Sequence, residues 1–258
     1  MTNLAVTKLN KNFGGNQVLK DVSFRVEGAE LVGLIGPNGA GKTTLTNVLD
    51  GAIKPNSGTV YLNGERIDQL QPFEVARAGL GRTFQVTRSF RRMTVIDNLM
   101  VPGLALDHGM SARQLREKGH EVLEFLTMEH LRNDLAQSLS GGQQKLLELG
   151  RLLMLDPDII ILDEPFAGVH PRLMKIIYSY IERVNDEGKA IILISHQMDS
   201  IFSLCKRLLV LNYGDLIADG PPEEVRNDPK VIEAYLGIDE EEEHYTGVEG
   251  GETSEATS

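Results

Sequence analysis

The chain of 258 residues has a single cysteine, Cys205, and no tryptophan, and only 5% of its residues are aromatic. One cysteine excludes an internal disulfide and supplies no set of metal-ligating thiols. It follows Ile201, Phe202 and Leu204 in a helical pattern, where it reads as a small core filler. Long apolar runs are missing as well. Stretches such as Ala190 to Ile194 reach about five residues, whereas a bilayer crossing takes on the order of 20. The opening residues, MTNLAVTKLNKNF, lack the basic start and apolar segment of a secretory signal. Together these absences predict a cytoplasmic protein that does not itself span a membrane. Positive charge is also in short supply. The net charge of −11 argues against nucleic acid as the main partner. Eight acidic residues fall within Asp239 to Ser258, where there is no Lys or Arg, and that tail is expected to be disordered and solvated.

What is present is enough apolar material, 41%, for one large core or a core with a satellite. The organising stretch is Leu31 to Thr44, LVGLIGPNGAGKTT. Leu31 to Ile35 reads as a buried strand, Gly36 to Thr43 fits G-x-x-x-x-G-K-[ST], and helix formers follow from Leu45 to Leu49. Strand, phosphate loop and helix follow in order. The glycines let successive N–H groups converge, and the helix starting near Gly41 adds the positive end of its dipole. Gly36, Pro37, Asn38, Gly39, Ala40, Gly41, Lys42, Thr43 and Thr44 are thus expected to cradle a polyphosphate. Lys42 would serve the outer phosphates, and the Thr43 hydroxyl would give Mg²⁺ one of the few protein oxygens it needs.

Before that loop, Leu4 to Leu9 and Val18 to Val26 alternate apolar and polar residues and predict antiparallel strands, with Gly58 to Gly64 as a third. Phe13, between the first two, is either a core ring or a platform for an adenine face. From Phe84 to Leu155 the signals are helical. Thr94-x-x-Asp97 opens a helix through Val101, Ser111-x-x-Gln114 opens one with Leu115, Val122, Leu123 and Leu126 inward, and Ser140 precedes Gly141, Gly142 and a leucine-rich helix. That last turn is either an ordinary cap or a second anion-binding end. After Pro157 the α/β pattern returns. An apolar strand ends in Asp163-Glu164, Arg172 to Glu187 is a helix, Ala190 to Ile194 is a strand leading to Ser195 and His196, and Leu208 to Ala218 is a hairpin. Pro221 and Pro222 begin a short last helix. The expected fold class is α/β, a P-loop NTPase with a mainly parallel core sheet, an antiparallel β subdomain and a helical subdomain.

Phosphoryl transfer to water needs neutralised phosphate charge, a metal and an oriented water. Asp163 would hold Mg²⁺ through water, Glu164 would accept the proton of the attacking water, and His196 would touch the γ-phosphate. The other histidines, His108, His120, His130, His170 and His244, take no catalytic role in this reading.

Leu139-Ser-Gly-Gly-Gln143 resembles the signature loop of ATP-binding cassette proteins, and it stands in that family's order: Gly36 to Thr43, Gln85, the signature, Asp163-Glu164, His196. The resemblance implies a two-lobed nucleotide-binding domain over residues 1–238, with a helical subdomain at about 86–155 and the acidic tail over 239–258. It implies head-to-tail pairing with a second ATPase subunit, identical or related, so that Ser140, Gly141, Gly142 and Gln143 close the other subunit's ATP. Phe13 would stack on adenine, Gln85 would join Thr43 and Asp163 at the metal and link it to a transmembrane permease, and His196 would support hydrolysis. More narrowly, Gly81-Arg-Thr-Phe-Gln85, Met93 to Leu99 and Ala167-Gly-Val-His-Pro171 resemble the ATPase subunits of branched-chain amino-acid importers of the LivG type. His170 departs from the Asp frequent there in the wider family. The cofactors implied are ATP and Mg²⁺; the partners are permease subunits and, indirectly, a substrate-binding protein, holding the chain on the inner face of the cell membrane. Urea transport, lipopolysaccharide export and a soluble, non-transport ATPase are the alternatives. The 53 residues from Val86 to Ser138 are too few for the long coiled coil of DNA-repair relatives. Val86 to Arg92, VTRSFRR, is either the permease-facing surface or an exposed basic loop.

Overall fold

Alternation over long segments draws out the first two strands, β1 (Asn3–Phe13) and β2 (Asn16–Glu27), and the apolar run next in sequence forms β3 (Leu31–Ile35). The chain continues through α1 (Lys42–Leu49), β4 (Ser57–Leu62), β5 (Glu65–Arg66), α2 (Pro72–Arg77), β6 (Leu80–Arg82), α3 (Val95–Ala105), α4 (Ala112–Phe125) and α5 (Gly141–Leu155). It ends in β7 (Ile159–Asp163), α6 (Pro171–Asp186), β8 (Ala190–Ile194), α7 (Met198–Leu204), β9 (Arg207–Asn212), β10 (Asp215–Gly220) and α8 (Pro222–Arg226). This computed structural model describes residues 2–83, 89–106 and 109–235. Gln85, the 86–88 part of the basic segment, His108, His244 and the acidic tail over 239–258 lie outside the described residues.

Two sheets result. One is four-stranded and antiparallel, β2-β1-β4-β5; the other is six-stranded, β10-β9-β3-β8-β7-β6, with β9, β3, β8, β7 and β6 parallel and β10 antiparallel at its edge. The parallel strands are apolar without interruption because both of their faces are covered. Leu31 and Ile35 of β3, with Ile191 and Leu193 of β8, pack into the cluster holding α3, α5 and α6. Val32 and Leu34, with Ile192 and Ile194, pack on the opposite face against α1 and the antiparallel sheet. Each such side chain contributes roughly 1.5–3 kcal/mol through burial.

The helical stretch between β6 and β7 follows its caps. Thr94 accepts from the Asp97 amide at 3.2 Å, and Ser111 and Ser140 form capping boxes with Gln114 and Gln143. Some boundaries differ from the sequence expectation. Helix α3 runs through Pro102 to Ala105 instead of stopping at Val101, since proline's fixed φ suits a helix even though its missing N–H costs one bond. Phe13 is the last residue of β1, paired with Asn16, and so does not lie between strands. Helix α2 and strand β6 went unpredicted; Leu80-Gly-Arg82 is too short to display a period.

Candidate nucleotide site

Strand β3 ends at the carboxyl edge of the parallel sheet and feeds directly into the loop. Gly36 has φ 146°, and a Cβ there would lie 2.0 Å from the Leu211 carbonyl oxygen, so no other residue fits. Gly41, φ 106°, would put a Cβ 2.9 Å from the Val18 carbonyl oxygen, whereas at Gly39 a Cβ would meet nothing within 4 Å. The backbone is therefore packed tightly on its outer side and open on its inner one, the shape of a cradle. The β9–β10 turn braces it: Gly214 N donates to Ala40 O at 3.0 Å, and Lys20 N donates to Gly214 O at 2.9 Å. Helix α1 starts with no side-chain cap, leaving its first N–H groups for an anion. The Lys42 ammonium bends back to donate to Gly36 O at 2.6 Å and Pro37 O at 2.9 Å. Burial pushes its pKa below the usual lysine value, against the pull of Glu164 and Asp163.

The carboxylates arrive from β7 and the histidine from the end of β8. Asp163 Oδ2 accepts from Arg82 Nη2 at 2.9 Å, and the Asp163 amide donates to Thr83 Oγ1 at 2.9 Å. Arg82, its side chain 5% exposed, also donates to Asp50 and Asn47 of the α1 segment, both at 2.7 Å. The phosphate-loop helix and the acidic strand are thereby joined through one guanidinium. Glu164 is buried with φ 49°, a left-handed conformation that costs a non-glycine residue roughly 1 kcal/mol or more. Its Oε1 has no hydrogen-bond partner among the described residues, and His196 Nε2 stands 3.4 Å away.

Asn38, Gly39, Ala40, Gly41, Lys42, Thr43, Thr44, Asp163, Glu164 and His196 line one cleft of about 340 Å³. Gly36 and Pro37 are buried and outside that lining, and their carbonyls hold Lys42. Phe13, 51% exposed with the Lys11 ammonium 5.1 Å from its ring centroid, and the turn from Ser140 to Gln143 lie outside the lining. That turn does not close this chain's own cleft. A larger hollow of about 520 Å³, mostly apolar, opens elsewhere, between α2, α3, α5 and β6.

The family profile described as "ABC transporter" matches residues 19–167. The chain belongs to this family. It is an ATP-hydrolysing cassette of a transporter. The probable branched-chain amino acid transport ATP-binding protein LivG of Archaeoglobus fulgidus is 36% identical, with 93% of this chain and 97% of the relative covered. BraF, the high-affinity branched-chain amino acid transport ATP-binding protein of Pseudomonas aeruginosa, is 38% identical over 91% and 97%. LptB, the lipopolysaccharide export ATP-binding protein of Escherichia coli K12, is also 38% identical, over 93% and 99%. Among solved structures, a nucleotide-free ATP-binding cassette gives a TM-score of 0.80 at 35% identity, covering 91% of this chain and 99% of its own. The ADP conformation of an ATP-binding cassette gives 0.79 at 36%, covering 92% and 99%. A second profile, described as branched-chain amino acid ATP-binding cassette transporter, matches residues 216–241.

The cassette's donor set suits a hard cation that keeps most of its water. Among the described residues no three His, Cys, Asp or Glu side chains cluster as a metal cage; Thr43 and Asp163 line the cleft and would leave the remaining positions of a bound Mg²⁺ to phosphate and water oxygens. His170 of the cassette serves as a helix cap: its Nδ1 accepts from Arg172 N at 3.2 Å. The sequence reading missed Val18 and Ile194 of the cleft wall, and Arg82 and Thr83 behind Asp163. Val18 had no signal beyond the alternation of β2. Arg82 and Thr83 stand inside Gly81-Arg-Thr-Phe-Gln85, a stretch that carries a family resemblance but no local period or cap signal.

Proposed function

We propose that the cassette hydrolyses MgATP in a head-to-tail pair and that this cycle drives membrane permease subunits importing branched-chain amino acids. The observation that carries the chemistry is the meeting of Lys42, Asp163, Glu164 and His196 on one cleft beside the loop amides. Bound Mg²⁺ would neutralise charge on the phosphate oxygens, held by Thr43, Asp163 and Gln85. Lys42 would leave the Gly36 and Pro37 carbonyls for the outer phosphates. Glu164, its Oε1 buried and without a hydrogen-bond partner among the described residues, would take the proton from the attacking water. His196 would contact the γ-phosphate, Phe13 the adenine, and the second subunit's Ser140 to Gln143 would close the far side.

Residues 1–238 would form the cassette and 239–258 a solvated tail. The apolar hollow of about 520 Å³, bordered by Ser89 and Phe90 of the basic segment, is the surface suited to a permease helix, which would hold the cassette on the inner face of the membrane. No helix among the described residues is long and apolar enough to cross the bilayer itself. The match at residues 216–241 supports amino-acid import; a substrate-binding protein would deliver the solute. Lipopolysaccharide export is the second reading, resting on the 38% identity to LptB.

Glu164→Gln should bind MgATP, turn over at least 100-fold more slowly and accumulate as an ATP-bound dimer, since a general base contributes about 10²–10⁴ in rate. Steady-state hydrolysis at the normal rate would remove Glu164 from that role. For the solute, the transporter purified with its permease and reconstituted in vesicles should show ATPase stimulation by binding protein loaded with leucine, isoleucine or valine. Stimulation by lipopolysaccharide alone would favour the second reading.

A further inference from the structure

Glu164 must aim its carboxylate into the cleft from a backbone conformation that L residues rarely adopt, φ 49°. Three hydrogen bonds surround that residue. Its amide donates to Ile194 O at 2.9 Å, and its carbonyl accepts both from Ala167 N at 3.3 Å and from the ammonium of Lys145. Lys145 lies on α5, in the turn of helix after the Ser140 capping box. One helix thus carries the serine-glycine turn at its tip and, five positions on, a cation clasped to the backbone of the carboxylate residue. The Lys145 side chain is half-buried and borders a small cavity with Thr83, Glu148, Leu149, Asp163 and Pro165. Burial lowers its pKa, while Glu148, Glu164 and Asp163 favour the charged form. A half-buried lysine whose ammonium is held on the backbone carbonyl of the reacting carboxylate residue is a costly arrangement for packing alone.

We propose that Lys145 is a positioning residue for hydrolysis: its ammonium pins the Glu164 carbonyl, holds residue 164 in the left-handed conformation that directs its carboxylate at water, and ties the signature turn to the base of the same subunit. The inference rests on the reading of Glu164 as the base.

The test uses the purified full-length chain. Lys145→Met, which keeps the stem and removes the donor, is expected to lower kcat at least tenfold while KM and the Kd for MgATP stay within twofold. Lys145→Arg, which restores a donor, should recover kcat to within threefold of the parent. The double variant Lys145→Met with Glu164→Gln should be no slower than Glu164→Gln alone, because the lysine acts through the glutamate. If methionine is not tolerated, Lys145→Gln replaces it, with the same kcat loss expected because its shorter side chain holds the donor back from the carbonyl. A parental kcat, a joint loss of kcat and MgATP affinity, a melting-temperature loss that arginine corrects without restoring kcat, or a double variant slower than Glu164→Gln would each overturn the proposal. An active Glu164→Gln single variant would instead overturn the base assignment beneath it, and the two failures are read from different proteins.

Discussion

Arg82 shows what one buried charge does in this cassette. Its guanidinium reaches Asn47 and Asp50 on one side and Asp163 on the other, with both carboxylates 11% exposed. Arg82→Met keeps much of the stem but leaves two buried carboxylates without that counter-charge. The expected cost is about 3 kcal/mol or more, measured as a shift in the urea midpoint at constant m-value, together with a lower kcat as Asp163 loses its orientation. A shift under about 1 kcal/mol would mean that water replaces the arginine adequately. Asp163 and Glu164 were legible in the sequence because an uninterrupted apolar strand leads to them. Arg82 was not, because a single arginine in a three-residue strand has no periodicity, and its partners are 32 and 81 positions away in sequence.

Among the elements, α6 has the least usual start. His170 occupies its N-cap, with Pro171 following, and accepts the Arg172 amide through Nδ1. An aspartate there would keep an acceptor and add negative charge at the positive end of the helix dipole. His170→Asp is therefore expected to stabilise the folded chain by about 0.3–1 kcal/mol, raising the melting temperature by roughly 1–4 °C. An unchanged or lower melting temperature would show that the imidazole makes a contact worth more than the dipole gain. Helix α5 permits a sharper substitution. Ser140→Asp preserves an N-cap acceptor, so the monomer should melt no lower than the parent and bind ATP equally well. Dimerisation of the ATP-bound chain, measured by light scattering in the Glu164→Gln background, should be lost because a carboxylate would face phosphate. Dimers forming as before would mean that this turn does not meet the other subunit's nucleotide. Capped helices and alternating strands were readable because their signals are local, repeating or cap-forming over a few residues. The extension of α3 past Pro102 was not, since packing on α4 and α5 outweighs the bond that proline removes.

For the whole molecule, the parallel sheet divides the apolar interior into two clusters, and Cys205 is buried in one of them. Burial pushes its thiol up to about 12 from an ordinary 9.0. The folded pKa is the higher one, so the thiol's contribution to stability is complete below pH 9 and is lost as pH rises toward 12. Cys205→Ala should lose less stability over that window in urea melts, and the parent thiol should react with an aromatic disulfide at pH 8 only as fast as the chain unfolds. Rapid labelling of the native protein would contradict the burial. By itself the sequence determined the phosphate loop, the longer strands and capped helices, the acidic strand end and the family, because each is written in contiguous residues whose spacing, glycines and apolar period fix local backbone geometry. Only the tertiary structure decided that Arg82 spans α1 and β7, that the β9–β10 turn braces the loop, that Lys145 grips the Glu164 carbonyl and that Ser140 to Gln143 stand away from this chain's own cleft. Those relations depend on which distant segments the packed sheet brings within hydrogen-bonding distance, and no local pattern encodes that distance.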